Sequence, residues 1–373
     1  MHPRRLRHAH KRRMLRRAMR KDMSMIPVFD GHNDFLQRMV AAGPGRDRLW
    51  LEGDGSGHLD LPRMKAGGFA GGFFAIWTPS PPGPDDAMAA MLKKNPPFAL
   101  PLPPEVAPAQ ALPHALAQAG HLMAMERTGT LAICRTAADL RAAIADGQIA
   151  AILHIEGAEP IPDLDALHAW HAMGLRSLGP VWSRPTRYAH GVPFAFPSSP
   201  DTGPGLTAEG EDLVRECNRL RIMLDLSHLN EKGFDDVARL SDAPLVASHS
   251  CAHAVAPSSR NLTDRQLRVI AESRGLVGLN FAVGFLHPEG RRDPMHGFEI
   301  MLRHLDHLLA FLGEDGVALG SDFDGAEMPA DLADASALQN LLQAMLDHGY
   351  GRELVEKIAC KNWLNLLERT WGA

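Results

Sequence analysis

Two side chains that can bind a metal follow the first apolar segment of the chain, Val28 to Asp34, in the pattern His-x-Asp. If this segment is a strand, residues two apart point to the same side, so His32 and Asp34 present an imidazole and a carboxylate to one point. Nitrogen and oxygen donors of this kind hold divalent cations such as zinc. The simpler interpretation is a turn in which Asp34 caps the next helix. The choice between them depends on what the rest of the chain supplies.

Four further donors come directly after later apolar segments: Glu156, His228, His249 and Asp322. Each has an ordinary interpretation by itself, because Glu156 could cap a helix, the histidines could be hydrogen-bonded core residues and Asp322 could hold a turn. Six such groups at five strand ends are better explained by a shared metal centre. Burying that many polar groups without a cation would cost free energy.

The elements that must position these groups are short apolar segments alternating with helical patterns. The predicted strands are 28–34, 73–77, 149–155, 176–182, 222–226, 244–248, 276–280 and 317–320. Near-continuous apolar runs are typical of buried parallel strands. Eight such units favour a (β/α)8 TIM barrel, in which the carboxyl ends of all strands meet at the face that carries the active site. A doubly wound open sheet is the alternative, but no Gly-rich phosphate motif follows the first strand.

Helical spacing and capping residues predict the connecting helices. They are expected at 109–127, 136–146, 164–173, 207–220, 231–240, 263–273, 296–312, 336–348 and 353–367, with shorter helical pieces at 59–65 and 85–94. The segment 43–58, rich in glycine and charge, is predicted to be a loop. The Pro-rich segments 79–108 and 183–205 are predicted to be long loops of the kind that cover active sites.

Composition bounds the class of protein. The chain has 373 residues, is 45% hydrophobic and carries a net charge of −5, which suits one large barrel domain over 23–373 and gives no general affinity for nucleic acid. Basic residues are concentrated in 1–22, which we expect to be a dispensable solvated tail. The alternative is a basic arm that binds nucleic acid or anionic lipid. Neither a signal peptide nor a membrane-spanning segment is visible, so a cytoplasmic location is expected. The four separated cysteines are expected to be buried free thiols.

The number of donors suits two cations that share a bridging carboxylate and a bridging water. Glu156 is the natural bridge, with His32 and Asp34 completing one site and His228 and His249 the other. Nitrogen and oxygen donors without cysteine favour Zn2+, with Mn2+ or Co2+ as substitutes.

Most of the chain, from about Pro27 to Leu367, resembles the renal (membrane) dipeptidase family of metallopeptidases. The motifs that carry the resemblance are DGHND (30–34), HIEG (154–157), GLT (205–207), DLSH (225–228), SHS (248–250), RN (260–261) and GSDFDG (320–325). The resemblance implies a (β/α)8 barrel of the amidohydrolase type. It also implies hydrolysis of dipeptides at a two-zinc centre, often with tolerance for a C-terminal D-residue, and a homodimer.

The resemblance also implies residue roles. It makes zinc ligands of His32, Asp34, Glu156, His228 and His249. Asp322 matches the acid/base residue, and Arg260 matches the residue that holds the terminal carboxylate of the substrate, a task that suits a guanidinium fork. Asn261 shares the motif of Arg260 and is a further candidate.

One position departs from the family pattern. Trp182 stands where mammalian members carry a substrate-contacting histidine, and an indole donates a hydrogen bond but cannot titrate as imidazole does. His190 is the candidate replacement from the same loop. This difference affects the expected substrate range more than the expected chemistry.

The predicted function is hydrolysis of small dipeptides by a metal-bridged hydroxide, with Asp322 passing the proton to the leaving amine. The nearest alternative is another metal-dependent amidohydrolase that acts on N-acyl amino acids, lactams or cyclic amides. A barrel that has lost catalysis and serves as a scaffold is a third reading, and the intact ligand set argues against it.

Overall fold

The computed structural model describes residues 25–81, 95–292 and 297–372. The basic segment 1–22 and the short helix predicted at 85–94 lie outside these residues, as does the first residue of the helix predicted at 296–312.

Eleven strands are present in the described residues. They are β1 (Val28–Asn33), β2 (Phe69–Trp77), β3 (Phe98–Ala99), β4 (Leu131–Ile133), β5 (Ile149–Glu156), β6 (Leu175–Gly179), β7 (Ala195–Phe196), β8 (Met223–Leu224), β9 (Val246–Ser250), β10 (Leu276–Leu279) and β11 (Val317–Leu319).

Eight of these strands form a parallel barrel in the order β8-β6-β5-β2-β1-β11-β10-β9. The remaining gap between β8 and β9 is bridged in parallel by Asp225 and Val246, and Leu226 N donates to Val246 O at 2.8 Å. The predicted (β/α)8 barrel is confirmed, and each of its strands was predicted within a few residues of its bounds. The carboxyl ends of these strands therefore meet at one face, as the argument about the site requires.

Three short strands were not predicted. β4 pairs in parallel with the first three residues of β5. β3 pairs antiparallel with β7, so that the two Pro-rich loops are joined to each other. The apolar runs at these three positions are too short, or too closely flanked by proline, to be recognised as strands from the sequence.

Helices cover the outside of the barrel. Their bounds are Phe35–Ala42, Arg46–Glu52, Leu61–Gly67, Pro108–Glu126, Ala137–Ala145, Leu164–Met173, Ala208–Leu220, Glu231–Leu240, Asp264–Glu272, Val283–Leu286, Gly297–Leu312, Leu338–His348, Arg352–Glu356 and Asn362–Trp371. A π-helical turn, Lys357–Lys361, interrupts the helix predicted at 353–367. None of the helices in the described segments combines the length and apolarity that crossing a bilayer requires.

The prediction of a loop at 43–58 is wrong for the first half of this segment. Gly43–Gly45 forms a 3-10 turn and Arg46–Glu52 is helical. Trp50 is buried there, and its indole Nε1 donates to Thr130 Oγ1 at 3.0 Å. Leu49 and Trp50 are the buried residues of this helix and pack it against the rest of the domain. The glycines and charged residues around them made the segment look like a loop.

A tightly packed floor holds β1 in place beneath the active face. A Cβ on Gly31 would lie 2.5 Å from the Trp363 ring and would also collide with the Ser248 carbonyl, so only glycine fits between Asp30 and His32. The Trp363 indole donates to Leu319 O at 2.9 Å. The close approach fixes the end of β1 and with it the position of His32.

A buried ion pair fastens the loop after β6. Arg184 is fully buried, and its Nε donates to Glu159 Oε1 at 2.5 Å. The same guanidinium donates to Ser80 Oγ and to the Thr78 carbonyl, so it ties the start of the first Pro-rich loop to the second. Burial raises the pKa of Glu159, and the charge of Arg184 opposes that rise.

We predict that Arg184→Met destabilises the protein by about 3–5 kcal/mol, because Glu159 is then left buried without its partner. Urea unfolding followed by circular dichroism measures the change. Adding Glu159→Gln to this variant should recover part of the loss, since no unpaired charge remains.

The matched control is Arg141→Met, which removes an arginine from an exposed pair with Glu368. Exposed pairs contribute little, so this change should be much smaller. Equal losses in the two single variants would contradict the role given to the Arg184–Glu159 pair.

Candidate metal centre

His32 and Asp34 lie together at the end of β1. His32 is fully buried, and its Nε2 lies 3.4 Å from Asp34 Oδ2. Asp34 occupies the N-cap position of the helix Phe35–Ala42, but its side chain makes no capping hydrogen bond. The capping interpretation of Asp34 is therefore wrong, and the carboxylate faces the histidine as the strand spacing predicted.

Glu156, at the end of β5, lies among three imidazoles from other strands. Its Oε1 is 3.0 Å from His228 Nε2, 3.3 Å from His249 Nε2 and 3.7 Å from His32 Nε2. The Nε2 atoms of His228 and His249 are 3.2 Å apart. Residues separated by more than two hundred positions thus converge on one carboxylate oxygen.

The proton of His249 can be assigned from its neighbours. Asp225 Oδ2 accepts a hydrogen bond from Ser248 Oγ at 2.5 Å, and Ser248 Oγ lies 2.8 Å from His249 Nδ1. The charge interaction with His154, helped by hydrogen bonds from Ser248 and Ser227, holds the pKa of Asp225 below its usual value despite its burial. This carboxylate is therefore an acceptor, and the serine must donate to it. Ser248 then accepts from His249 Nδ1–H, and the lone pair of Nε2 faces Glu156.

The buried hydrogen-bond acceptors of this cluster are better satisfied by a bound cation than by one another. Glu156 Oε1 and both ring nitrogens of His32 are buried and have no hydrogen-bond partner among the described residues. Two of the close groups of possible ligands share Glu156, one with His32 and Asp34 and the other with His228 and His249. Buried acceptors that face each other without donors are unfavourable, and a divalent cation removes the conflict. The donor set is the one predicted for two ions bridged by Glu156.

The space beside the acidic groups is kept open by a glycine. A Cβ on Gly325 would lie 2.6 Å from Asp322 Oδ1 and would collide with Asp34 Oδ2. Only a residue without a side chain leaves these two carboxylates accessible from the cavity.

The pKa shifts at the centre follow from burial and from the shared charges. Burial raises the pKa of Glu156, and the neighbouring carboxylates of Asp34 and Asp322 raise it further, against His32. Burial lowers the pKa of His228 and His249 well below the usual value, helped by the charges of Arg260 and His32. These two imidazoles therefore keep free lone pairs at neutral pH.

His32 shows the opposite behaviour. Burial by itself lowers its pKa, but Glu156 and Asp34 outweigh it and raise the pKa to about 10. With no cation present, a proton on His32 is the positive charge that these carboxylates require. A bound metal ion supplies the same charge at the same point, so metal and proton compete for it.

Asp322 is held next to this centre by backbone and side-chain contacts. Its N–H donates to His32 O at 3.0 Å, and its Oδ2 accepts from Asn280 Nδ2 at 2.9 Å. Asp322 and His228 both have positive φ angles, 62° and 67°, which is unusual for residues other than glycine. Such backbone strain is typical of functional sites, where the surrounding fold compensates for it.

A cavity of about 300 Å³ opens above the centre. Aromatic side chains form one part of its wall, and the acidic groups of the centre form another. The aromatic residues are Trp77, Trp182, Phe194 and Phe285. The rings of Trp182 and His228 have their centres 5.9 Å apart, so Trp182 lies over a predicted metal ligand.

The remaining sequence-predicted residues occupy different positions. Arg260 is buried behind the cavity wall, where it donates to Ser250 Oγ at 3.1 Å and to His249 O at 3.0 Å. Asn261 donates to the carbonyls of Ala256 and Phe285, and His190 takes part in a backbone bridge with Pro185. None of Arg260, His190 and Asn261 is among the residues that line the cavity, but Arg260 lies over the ring of Phe285, which does line it.

Sequence reasoning missed a second group beneath the centre. His154 and Asp225 approach His32 closely enough to form a further cluster, with His154 Nε2 3.7 Å from Asp225 Oδ2. The His-x-Glu spacing of 154 and 156 at a strand end was a usable signal for His154. Asn280, Phe194 and Arg292 carry no local signal, because only the barrel brings their strand ends and loops to the cavity.

The fold and the clustered ligands define the class, a metal-dependent hydrolase built on a (β/α)8 barrel. The chain belongs to the membrane dipeptidase family (peptidase family M19), whose sequence model matches residues 16–371. It is therefore a peptide-bond hydrolase of a metallopeptidase family.

Similar proteins agree with this assignment. A metallopeptidase from Rhodobacter sphaeroides, solved with a phosphinate mimic of the dipeptide L-Ala-D-Ala, is 63% identical with a TM-score of 0.91, and the alignment covers 93% of this chain and 100% of that one. Dipeptidase tcpJ of Claviceps purpurea is 28% identical over 91% of this chain and 76% of its own. An uncharacterised protein of Klebsiella pneumoniae is 46% identical over 65% of this chain and 90% of its own.

We predict that Ser248→Ala lowers metal affinity about 10–100-fold, because His249 loses the group that orients it. Competition with a chromophoric chelator measures the affinity. Ser199→Ala removes a hydroxyl from an exposed position of the second Pro-rich loop and should leave the affinity unchanged. Equal affinities in the two variants would exclude the proposed Asp225–Ser248–His249 relay.

Proposed function

We propose that the protein is a zinc-dependent dipeptidase with two Zn2+ ions per chain. The observation that carries the proposal is the position of Glu156 Oε1, 3.0 Å from His228 Nε2 and 3.7 Å from His32 Nε2, with no hydrogen-bond partner among the described residues. His32 and Asp34 would hold one ion, His228 and His249 the other, and Glu156 both. Nitrogen and oxygen donors without a cysteine among them favour zinc.

Divalent cations held by these residues would supply Lewis-acid chemistry, which activates a carbonyl and lowers the pKa of a bound water. The protein supplies the proton transfer. Asp322 lines the cavity beside the centre, and Asn280 fixes one of its oxygens while the other faces Gly325. Burial raises the pKa of Asp322. A carboxylate with a raised pKa can take a proton from the attacking water and return it to the leaving amine.

Arg260 is proposed to hold the terminal carboxylate of the substrate. Its Nε is buried without a hydrogen-bond partner among the described residues, and its guanidinium lies over the ring of Phe285, 5.6 Å from the ring centre. A buried guanidinium next to the cavity can pair with the terminal carboxylate of a short peptide. A peptide bond in the middle of a longer chain has no negative charge that could pair with it. This contact would restrict the enzyme to short peptides.

Trp182 is the proposed replacement for the histidine of mammalian relatives. It lines the cavity and lies against His228, whereas His190 does not reach the cavity wall. An indole can donate a hydrogen bond to a carbonyl oxygen and offers an apolar surface to a substrate side chain. We therefore propose a substrate contact for Trp182 and none for His190 or Asn261.

Another amidohydrolase reaction could use the same centre. The dipeptide mimic bound by the Rhodobacter sphaeroides relative, at 63% identity, supports a dipeptide substrate over an N-acyl amino acid or a cyclic amide. Turnover of L-Ala-D-Ala, L-Ala-L-Ala and N-acetyl-alanine by the zinc-loaded protein distinguishes these substrates.

We predict that Asp322→Asn lowers kcat for L-Ala-D-Ala by about 10²–10⁴-fold while bound metal per chain stays the same. Asparagine keeps the size of the side chain and can still accept from Asn280, but it cannot carry the proton. Elemental analysis of the same preparation reports the metal. Unchanged turnover would remove Asp322 from the mechanism.

We predict that Arg260→Met lowers kcat/KM for dipeptides by roughly 10–150-fold through the loss of a charge-assisted contact of about 1.5–3 kcal/mol. Arg268→Met is a matched control, because Arg268 also lies over a phenylalanine ring, that of Phe311, but on the exposed surface. The proposed carboxylate contact is wrong if both variants keep the wild-type KM and kcat.

A further inference from the structure

Arg292 is a cavity residue that the proposed reaction does not use. It is half-buried and lines the cavity, and among residues 25–81, 95–292 and 297–372 it makes no hydrogen bond or salt bridge. A guanidinium removed from water without such a partner is costly and is available to a ligand.

The other charged groups that line the cavity are already committed. Asp34, Glu156 and Asp322 belong to the metal centre. Asp324 accepts hydrogen bonds from Arg38 Nη1 at 3.4 Å and from His58 N at 2.6 Å. Glu327 is exposed and is the acidic group whose charge acts on Arg292, where burial lowers the pKa and Glu327 opposes the change. Arg292 is therefore the arginine in the described cavity wall that remains available to bind a negatively charged group of the substrate.

Arg292 and Arg260 lie next to two adjacent residues of one short helix, Val283–Leu286. A Cβ on Gly284 would lie 3.6 Å from Arg292 Nε and Nη2, and Arg260 lies over the ring of Phe285. Both guanidinium groups therefore lie next to the short helix whose residues Val283, Gly284 and Phe285 form part of the cavity wall. If Arg260 holds the terminal carboxylate, Arg292 is in place for a second carboxylate on the same residue of the substrate.

We propose that Arg292 binds the side-chain carboxylate of an acidic C-terminal residue, so that dipeptides ending in aspartate or glutamate are the preferred substrate class. The proposal rests on the dipeptidase function proposed above. A guanidinium fork recognises a carboxylate through two parallel hydrogen bonds, which a neutral amide of the same shape cannot form equally well. The preference should therefore appear between glutamate and glutamine, which differ little in size.

The test compares L-Ala-D-Glu with L-Ala-D-Gln as substrates of the zinc-loaded enzyme. We expect the wild type to favour the glutamate dipeptide in kcat/KM by about tenfold or more, the range of one charge-assisted contact. Arg292→Gln should remove that preference, mainly through KM, and Arg292→Lys should restore part of it. Arg292→Glu should reverse it and favour L-Ala-D-Lys.

The matched control is Arg291→Gln at the neighbouring position, where the arginine is exposed and paired with Glu289. It should keep the wild-type ratio of the two rates. The proposal is overturned if Arg292→Gln keeps that ratio, if it lowers both rates equally, or if the wild type shows no preference. Failure of the dipeptidase function itself is a different result, because the zinc-loaded wild type would then hydrolyse none of these dipeptides or L-Ala-D-Ala.

Discussion

The arrangement on which the structure depends is a buried carboxylate oxygen surrounded by imidazole nitrogens. Glu156 Oε1 lies within 3.7 Å of the Nε2 atoms of three buried histidines. Like acceptors at these distances repel one another, and the free energy of burying them is recovered only when positive charge lies among them. Either a proton on His32 or bound cations can supply that charge, which is why the site is both a candidate metal centre and a source of unusual pKa values.

The closed barrel is what brings these residues together. The proposed ligands come from the ends of four different strands, and each strand end must be fixed to a few tenths of an ångström for a metal to be held. Gly31 packed between Ser248 and Trp363 fixes the first strand. Ser248, hydrogen-bonded to Asp225, fixes the orientation of His249. The same residues therefore serve the closure of the barrel and the geometry of the centre.

The aromatic side of the cavity is built where strand β2 ends and by the segments that follow the barrel strands. The two Pro-rich loops meet in the β3–β7 pair, and Arg184 ties them together beneath Trp77 and Trp182, with its guanidinium carbon 5.8 and 5.2 Å from the two ring centres. The result is an aromatic wall opposite the acidic centre. A rigid centre with a wall made from loops allows the chemistry to stay constant while the preferred side chain of the substrate changes.

The amino-acid sequence by itself determined the fold class, the eight barrel strands and the chemical type of the centre. Near-continuous apolar strands and donors such as His32 and Glu156 directly after them are local features, and the barrel rule converts them into one site. The pairing of β3 with β7, the helix around Trp50 and the place of Arg292 in the cavity wall were decided only by the tertiary structure. They depend on contacts between distant segments, and nothing in the few residues around each of them records those contacts.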